Sequence, residues 1–222
     1  MFDLKTTNTD PSSQAQRPSD SNAQTINAYN NHVEEYINTT VKSMDQHQPE
    51  VKEWVDVALQ TIPYSGHIFE IGSATPRDAT YMRSKGYTVT CSDGTPGFVK
   101  SLQKRGETAI LFNILNDNFP SRYNMIYANA VFPHLNPEEL SLSLKKIHSA
   151  LIDKGTLAFT IKYGTGDEWI NEKFTDKRFT HYWQEDDLAK LLHETGFEII
   201  FENSNVGKLP SHKWLNIVAK KL

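Results

Sequence analysis

The pattern of apolar and polar positions divides the chain into a polar start, a helical segment and a long alternation of strands and helices. Residues 1–24 are rich in Ser, Thr, Asn, Gln and Pro. We expect a disordered tail there, because so few apolar side chains cannot offset the entropy cost of ordering. Residues 25–62 carry apolar side chains at helical spacing, which predicts two amphipathic helices.

Short apolar runs alternate with amphipathic segments from residue 67 onwards. Five of these runs predict strands: HIFEIG, YTVTCSD, ETAILFNI, RYNMIYANA and TLAFTIKY. Helical segments separate most of them, which predicts an α/β fold with a parallel sheet and helices on both faces. The last two runs, FEIIFENSNV and KWLNIVAKKL, have no helix between them, so we expect them to pair antiparallel. An aromatic-rich connection over 164–184 has the length that is typical of functional loops.

Length, charge and cysteine content narrow the class of protein. The 222 residues suffice for one domain with a buried core. A net charge of −4 argues against a dedicated nucleic-acid binder, which needs concentrated Lys and Arg. The single cysteine, Cys91, cannot form an internal disulfide, and no signal peptide or membrane-spanning run is visible. We therefore expect a cytoplasmic monomer or homodimer that acts away from membranes and nucleic acids.

The stretch IFEIGSATPRD, residues 68–78, lies where ligands bind in an open parallel sheet, beyond the carboxyl end of the first strand. A dinucleotide-binding turn has the pattern G-x-G-x-x-G, because bare backbone must approach the pyrophosphate. Only Gly72 is present here, which disfavours a nicotinamide oxidoreductase and favours a ligand without phosphates. Asp93 ends the second strand, about 20 residues further on, where a carboxylate can accept hydrogen bonds from ribose hydroxyls. The alternative is that Asp93 and Gly94 only form a turn.

Several motifs in the same order carry a resemblance to a known family: EIGSATPRD, CSDGTPGFV, YANAVFPHL, TIKYGTGDE, RFTHYWQEDDL and KWLNIV. Over residues 24–222 the sequence resembles the class I S-adenosylmethionine (SAM)-dependent methyltransferases, and small bacterial members of unassigned substrate most of all. The resemblance implies a Rossmann-like seven-stranded sheet of order 3-2-1-4-5-7-6 with the last strand antiparallel. It also implies a methyltransferase domain over 25–222, with residues 25–62 as a helical lid.

The first motif departs from the family pattern G-C-G-x-G-R-D. Ala74 and Pro76 stand where the family has its second and third glycines. A Cβ atom at a position that needs positive φ costs on the order of 1 kcal/mol. The alternative to an active enzyme is therefore a non-catalytic relative that binds SAM or a nucleoside through a degenerate turn.

The resemblance implies that SAM, with S-adenosylhomocysteine as its product, binds along the carboxyl ends of the first four strands. The matching positions are Tyr29, Tyr36, Glu70, Gly72, Ser73, Ala74, Arg77, Asp93, Gly94, Thr95, Asn113, Ile114, Ala128 and Asn129. Among them, Arg77 is expected at the methionine carboxylate, Asp93 at the ribose and Asn113 at the adenine. Core packing, helix charge or a turn remain alternative roles for Tyr29, Tyr36, Arg77, Ile114 and Asn129.

Methyl transfer needs the acceptor atom aligned with the methyl group, and a base where that atom carries a proton. The candidate bases are His134, His181 and Tyr182. For His134, which follows the fourth strand, the alternative is that it only orders a loop. The candidate acceptor-binding residues are Lys162, Tyr163, Arg178, Trp214 and Asn216. The basic residues favour a small acceptor with an anionic group, although a solvated charged loop explains them equally well. No metal site is predicted.

Overall fold

A computed structural model describes residues 20–207 and 212–222 of the chain. Residues 1–19 of the predicted tail lie outside the described residues, whereas residues 20–24 are helical and correct the predicted boundary. The physical reason is that polar side chains at the start of this helix form hydrogen bonds with other parts of the fold. Asn22 Oδ1 accepts a hydrogen bond from Asn113 Nδ2 at 2.8 Å, and Thr25 Oγ1 accepts one from Phe179 N at 3.0 Å.

The described residues contain seven α-helices and nine strands, together with loops and short 3₁₀ turns. The helices are α1 (Asp20–Asn31), α2 (Val33–Thr39), α3 (Pro49–Gln60), α4 (Arg77–Ser84), α5 (Pro96–Lys104), α6 (Pro137–Ala150) and α7 (Glu185–Glu194). The strands are β1 (His67–Glu70), β2 (Thr88–Asp93), β3 (Ala109–Leu111), β4 (Tyr123–Ala128), β5 (Leu151–Lys162), β6 (Asp167–Ile170), β7 (Arg178–His181), β8 (Phe197–Val206) and β9 (Lys213–Lys221).

Seven strands form one sheet with the order β3-β2-β1-β4-β5-β9-β8. Strands β1 to β5 run parallel, and β9 pairs antiparallel with both β5 and β8. With the separate β6–β7 hairpin left aside, this is the order 3-2-1-4-5-7-6 with the last strand antiparallel, which confirms the predicted fold. The carboxyl ends of β1, β2 and β4 therefore meet at one edge of the sheet, where open α/β folds bind ligands.

Apolar layers on both faces hold the helices against the sheet. Leu144 of α6 and Leu192 of α7 are buried in the layer on one face. Trp54 of α3 and Met82 of α4 are buried in the layer on the other face. Trp54 also donates from Nε1 to the Ile217 carbonyl at 2.9 Å. The segment predicted as a lid thus has two parts: α3 belongs to the core, and α1 and α2 lie over the ligand edge of the sheet.

The structure adds one element to the sequence prediction and moves one boundary. The long connection over 164–184 is a β-hairpin, in which β6 pairs antiparallel with β7. The helical pattern of PEELSLSLKKIHSALIDKG predicts one helix over 137–155, but α6 ends at Ala150 and Leu151 already begins β5. Leu151 is buried in either arrangement, so its apolar character does not distinguish them. Within the described ranges, none of the helices combines the length and apolar character that crossing a bilayer requires.

Candidate functional site

The turn after β1 keeps one family glycine, Gly72, and replaces two others with Ala74 and Pro76. Gly72 has φ +70°, and a Cβ atom there would lie 2.4 Å from Val131 Cγ2, so only glycine fits. Ala74 occupies the left-handed region at φ +46°, which stores strain on the order of 1 kcal/mol. Pro76 has φ −77°, which proline adopts without strain. Only one of the two replacements therefore costs conformational energy.

Asp93 ends β2 and is held against this turn. Its Oδ2 accepts a hydrogen bond from Ala74 N at 3.0 Å, and its Oδ1 accepts one from Thr95 N at 2.8 Å. Burial raises the pKa of Asp93 to about 6, against the opposing effect of these N–H donors. Each carboxylate oxygen keeps a second lone pair, so Asp93 can accept further hydrogen bonds from hydroxyl groups of a ligand.

A first cavity lies at the carboxyl ends of β1 and β2, beneath α1, with a volume of about 110 Å³. Most of the predicted cofactor residues line it: Tyr29, Tyr36, Gly72, Ala74, Asp93, Gly94, Thr95, Asn113, Ile114 and Asn129. His134, a candidate base, lines it as well. The turn, the carboxylate at the end of β2 and the N-terminal helices thus meet in one place.

Four predicted cofactor residues lie outside the first cavity: Glu70, Ser73, Arg77 and Ala128. Ala128 is fully buried within β4. Ser73 Oγ donates to Glu70 Oε2 at 2.7 Å and accepts from Ser92 N at 3.1 Å, so Glu70 and Ser73 brace the turn. Burial, together with the charge of Asp78, raises the pKa of Glu70 to about 8, so this carboxyl is protonated at neutral pH.

Arg77 pairs with its neighbour in the chain. Its Nε and Nη2 donate to the Asp78 carboxylate at 2.5 and 2.9 Å. Tyr127 Oη and Asn129 Nδ2 donate to the same carboxylate, each at 3.0 Å. Burial opposes ionisation of Asp78, but the charge of Arg77 and these hydrogen bonds hold its pKa below the ordinary value. Asn129 is thereby fixed at the end of β4, where its Oδ1 also accepts from Thr160 Oγ1 at 3.1 Å.

Further residues line the first cavity that the sequence pattern did not distinguish: Asn22, Thr25, Ile26, Ile71, Phe98, Phe112, Ala130, Val131 and Leu135. Asn22 was missed because the polar composition placed residues 20–24 in a tail. The apolar residues occupy ordinary core positions, so periodicity does not separate them from other core residues. Phe98, for example, has its ring centre 5.1 Å from that of Tyr36 and 6.1 Å from that of Tyr29.

His134 is held by hydrogen bonds at both ring nitrogens. Nδ1 lies 2.6 Å from the Phe179 carbonyl, which can only accept, so Nδ1 carries the proton. Nε2 then accepts from Tyr29 Oη at 2.9 Å, and Arg178 Nη1 donates to the same hydroxyl at 3.1 Å. Burial lowers the pKa of His134 to about 4, so the ring is neutral at neutral pH. His134 thus links the loop after β4 to α1 and β7.

The other two candidate bases lie on or beside the hairpin. His181 Nδ1 pairs with Asp167 across the two hairpin strands. Tyr182 Oη donates to Glu168 Oε2 at 2.9 Å. Neither residue lines the first cavity. The structure therefore does not bring His181 and Tyr182 together with His134.

A second cavity of about 370 Å³ adjoins the first. Tyr36, Asn129 and Ala130 line both cavities. Two candidate acceptor residues, Trp214 and Asn216, line the second cavity. The two cavities thus lie side by side at the end of β4.

Three candidate acceptor residues lie outside both cavities: Lys162, Tyr163 and Arg178. Lys162 Nζ lies 5.4 Å from the ring centre of Tyr182 and 5.8 Å from that of Trp214, and burial lowers the pKa of Lys162. Tyr163 contacts Lys213, whose Nζ is 4.4 Å from its ring centre. Arg178 supports Tyr29 from behind the first cavity. Two of the three contact cavity residues: Lys162 lies beside Trp214, and Arg178 donates to Tyr29.

A family model described as a methyltransferase domain matches residues 44–202. The chain belongs to this methyltransferase family. The match spans α3 and the sheet strands up to β8, and so contains the turn after β1, Asp93 and the end of β4. No curated protein matches this methyltransferase in sequence.

Solved methyltransferase structures share the fold at low sequence identity. A 1,6-didemethyltoxoflavin-N1-methyltransferase from Burkholderia thailandensis is 17% identical, with 93% of each chain covered and a TM-score of 0.69. A magnesium protoporphyrin IX methyltransferase from Synechocystis PCC 6803 is 15% identical, with 91% of this chain and 100% of that chain covered and a TM-score of 0.66. An N-methyltransferase from Bradyrhizobium japonicum WM9 is 13% identical, with 87% and 98% covered and a TM-score of 0.63.

The methyltransferase has a larger cavity, of about 990 Å³, between α6 and residues 114–122. Ile114 is the one candidate residue from the sequence that lines it. Its volume is greater than that of the first two cavities, but it contains neither Asp93 nor the turn after β1. Most of the candidate residues therefore lie at the two cavities at the carboxyl edge of the sheet.

Proposed function

We propose that this methyltransferase uses SAM as its methyl donor. The observation that carries the proposal is the placement of Asp93, whose carboxylate lines the first cavity while the turn after β1 holds it. A carboxylate at the end of the second strand suits the two hydroxyls of a ribose. Asn113 lies in the same cavity, and an asparagine oxygen can accept from an adenine amino group. SAM carries no phosphate, which fits a turn with a single glycine.

The second cavity is the proposed site of a small-molecule acceptor. Tyr36, Asn129 and Ala130 line both cavities, so a methyl group transferred from one to the other would pass beside these residues. A volume of about 370 Å³ lies within the range of small-molecule sites. Trp214 and Asn216 are the proposed acceptor-binding residues, and Lys162 supports Trp214 from outside the cavity.

Methyl transfer asks the protein mainly for alignment and exclusion of water. SAM supplies an electrophilic methyl group with a good leaving group. Asn129 and Tyr36 border the point of transfer, and the hydrogen bond from Asn129 to Asp78 keeps that border rigid. Helices α1 and α2 close the first cavity from above and exclude solvent.

His134 is proposed as a positioning residue. Its Nε2 lone pair already accepts from Tyr29, and its pKa of about 4 makes it a weak base at neutral pH. The acceptor therefore loses any proton to solvent or to a group other than His134. His134 instead fixes Tyr29, which lines the first cavity.

Isothermal titration of the purified protein with SAM and with S-adenosylhomocysteine tests the cofactor. We expect binding by the wild type and a loss of at least about tenfold in affinity for Asp93→Ala, because hydrogen bonds to a charged group are lost. Asp187→Ala, at an exposed position of α7, is the matched control and should bind as the wild type does. Failure of the wild type to bind either ligand would overturn the proposal.

A methyl-transfer assay against a panel of small molecules then distinguishes an active enzyme from a non-catalytic relative that only binds SAM. Transfer by the wild type supports an enzyme. Cofactor binding without transfer to any compound in the panel would support the alternative, a non-catalytic relative that binds SAM. The strain at Ala74 is the observation that favours this alternative.

A further inference from the structure

The guanidinium of Arg77 lies on the side of the second cavity. Arg77 begins α4 and lines the second cavity, whereas it does not line the first. Tyr36 and His47 line the second cavity as well. Burial, and after it the charge of Arg77, lower the pKa of His47. Because such an effect requires a charge close by, the charged end of Arg77, and not only its stem, lies beside this cavity.

Asp78 occupies one edge of that guanidinium and fixes its orientation. Arg77 Nε donates to Asp78 Oδ1 at 2.5 Å, and Nη2 donates to Oδ2 at 2.9 Å. Asp78 is itself buried, and its Oδ2 also accepts from Tyr127 Oη and Asn129 Nδ2, each at 3.0 Å. The carboxylate is therefore anchored from several sides, and the guanidinium plane is held in one position.

The Nη1–Nη2 edge of Arg77 is the edge that remains. A guanidinium has five N–H donors, of which Asp78 uses one from Nε and one from Nη2. Nη1 donates to none of the described residues. The Arg77 side chain is 14% exposed, and Nη1 is not among the described polar atoms that are sealed from solvent without a partner. A ligand can therefore reach this edge.

The free edge suits a carboxylate. Two parallel N–H groups on one guanidinium edge match the two oxygens of a carboxylate, and such charge-assisted pairs are stronger than bonds to a neutral carbonyl. Asp78 already balances the charge of Arg77, so the preference rests on the geometry of the free donors and not on excess charge. No aspartate or glutamate within the described ranges lines the second cavity, so the carboxylate would meet no like charge in its wall.

We propose that the second cavity binds a small molecule through a carboxylate that accepts two hydrogen bonds from the Nη1–Nη2 edge of Arg77. That this molecule is the methyl acceptor rests on the proposed function. Arg77 is then a specificity-determining residue for the acceptor, held in place by Asp78. Asn129, which donates to the same Asp78, borders the first cavity and so links the two sites.

Benzoate and benzamide are probes of this preference. They have the same ring and nearly the same shape, but only benzoate carries a charged pair of oxygens. Each is titrated into the wild type at millimolar concentration, with and without S-adenosylhomocysteine, and binding is followed by calorimetry. We expect benzoate to bind about tenfold more tightly than benzamide.

Two variants assign the preference to the guanidinium. Arg77→Lys keeps a positive charge beside Asp78 but has no planar pair of donors, so it should bind benzoate no better than benzamide. The double variant Arg77→Gln with Asp78→Asn should lose the preference too, and it leaves no buried carboxylate unpaired. Arg83→Lys is the matched control, because Arg83 lies in the same helix, pairs with Glu107 and lines neither cavity. Thermal melting shows whether each variant is folded.

The methionine part of the cofactor is another source of a carboxylate, and a second titration distinguishes it. S-adenosylhomocysteine and methylthioadenosine, which lacks the amino acid part, are titrated into the wild type and Arg77→Lys. We expect the substitution to change neither affinity by more than about twofold. A loss of affinity for S-adenosylhomocysteine alone would place Arg77 at the cofactor carboxylate and overturn the inference.

The inference also fails if benzoate does not bind the wild type, if the two probes bind alike, or if a folded Arg77 variant keeps the preference for benzoate. Absence of S-adenosylhomocysteine binding by the wild type would instead count against the proposed function. The benzoate titration without S-adenosylhomocysteine is independent of that result, so the two failures are distinguishable.

Discussion

Ala74 carries the strain of the altered turn, since it holds φ +46° with a side chain. Ala74→Gly should relieve about 1 kcal/mol of strain and lose part of it to the greater freedom of glycine in the unfolded chain. We expect this variant to be as stable as the wild type or slightly more stable in urea unfolding.

The matched control for Ala74→Gly is Ala189→Gly in the exposed face of α7. Glycine in a helix costs about 1 kcal/mol relative to alanine, so this control should lower the free energy of unfolding. Equal destabilisation by the two substitutions would show that Ala74 is not strained.

Asp93 makes cofactor affinity depend on pH. Its pKa in the folded protein is about 6, above the ordinary value of 3.8 for an aspartate, so the folded state holds a proton between these values that the unfolded state has lost. The stability of the free protein therefore falls as pH rises through this window, while the ionised form that accepts from hydroxyls accumulates. S-adenosylhomocysteine should bind more tightly as pH rises through about 6 and level off above it.

Calorimetric titrations between about pH 5 and about pH 8 measure this dependence. Asp93→Asn cannot titrate and should show a weaker, flat affinity across the same range. A flat profile in the wild type would mean that the charge on Asp93 does not contribute to binding.

At the scale of elements, α1 must move when the cofactor binds. The first cavity has about 110 Å³, whereas small-molecule sites hold about 300–1,000 Å³. Asn22, Thr25 and Ile26 of α1 line the cavity, so we expect this helix to be the part of the wall that moves. We expect α1 to open for entry and to close on the bound ligand.

Amide hydrogen exchange measures this change. The amides of α1 should exchange more slowly with S-adenosylhomocysteine bound, whereas those of α3, which packs in the core, should not change. Equal protection of α1 with and without ligand would contradict the opening of this wall.

The elements that were predictable from sequence have local signals. β1 and β4 are short apolar runs, as buried parallel strands require. The start of α6 has Pro137 at its first turn and a capping box between Asn136 and Glu139. The β6–β7 hairpin has no such local signal, because it packs on α1 through long-range contacts such as that between Phe179 and Thr25.

At the scale of the molecule, the strand–helix alternation predicts a parallel sheet with an antiparallel final pair, and the order of the strands was predictable only through the resemblance to the family. The same order explains why Asp93 and Asn129 meet at one cavity, although β2 and β4 are far apart in sequence. Position at a strand end does not reveal which way a side chain faces. Glu70 ends β1 but lies outside the first cavity and accepts a hydrogen bond from Ser73. Arg77, at the start of α4, also lies outside it and forms an ion pair with Asp78.

Two chains of amide side chains converge on Asn216 of β9, one from Gln48 through Asn205 and the other from Asn203. Replacing Gln48 alone leaves Asn203 presenting an oxygen to Asn216, and replacing Asn203 alone leaves Asn205 doing so. Trp214, in contrast, takes part in neither chain. The orientation of the Asn216 amide is therefore fixed twice over, and Trp214 can be exchanged without disturbing it.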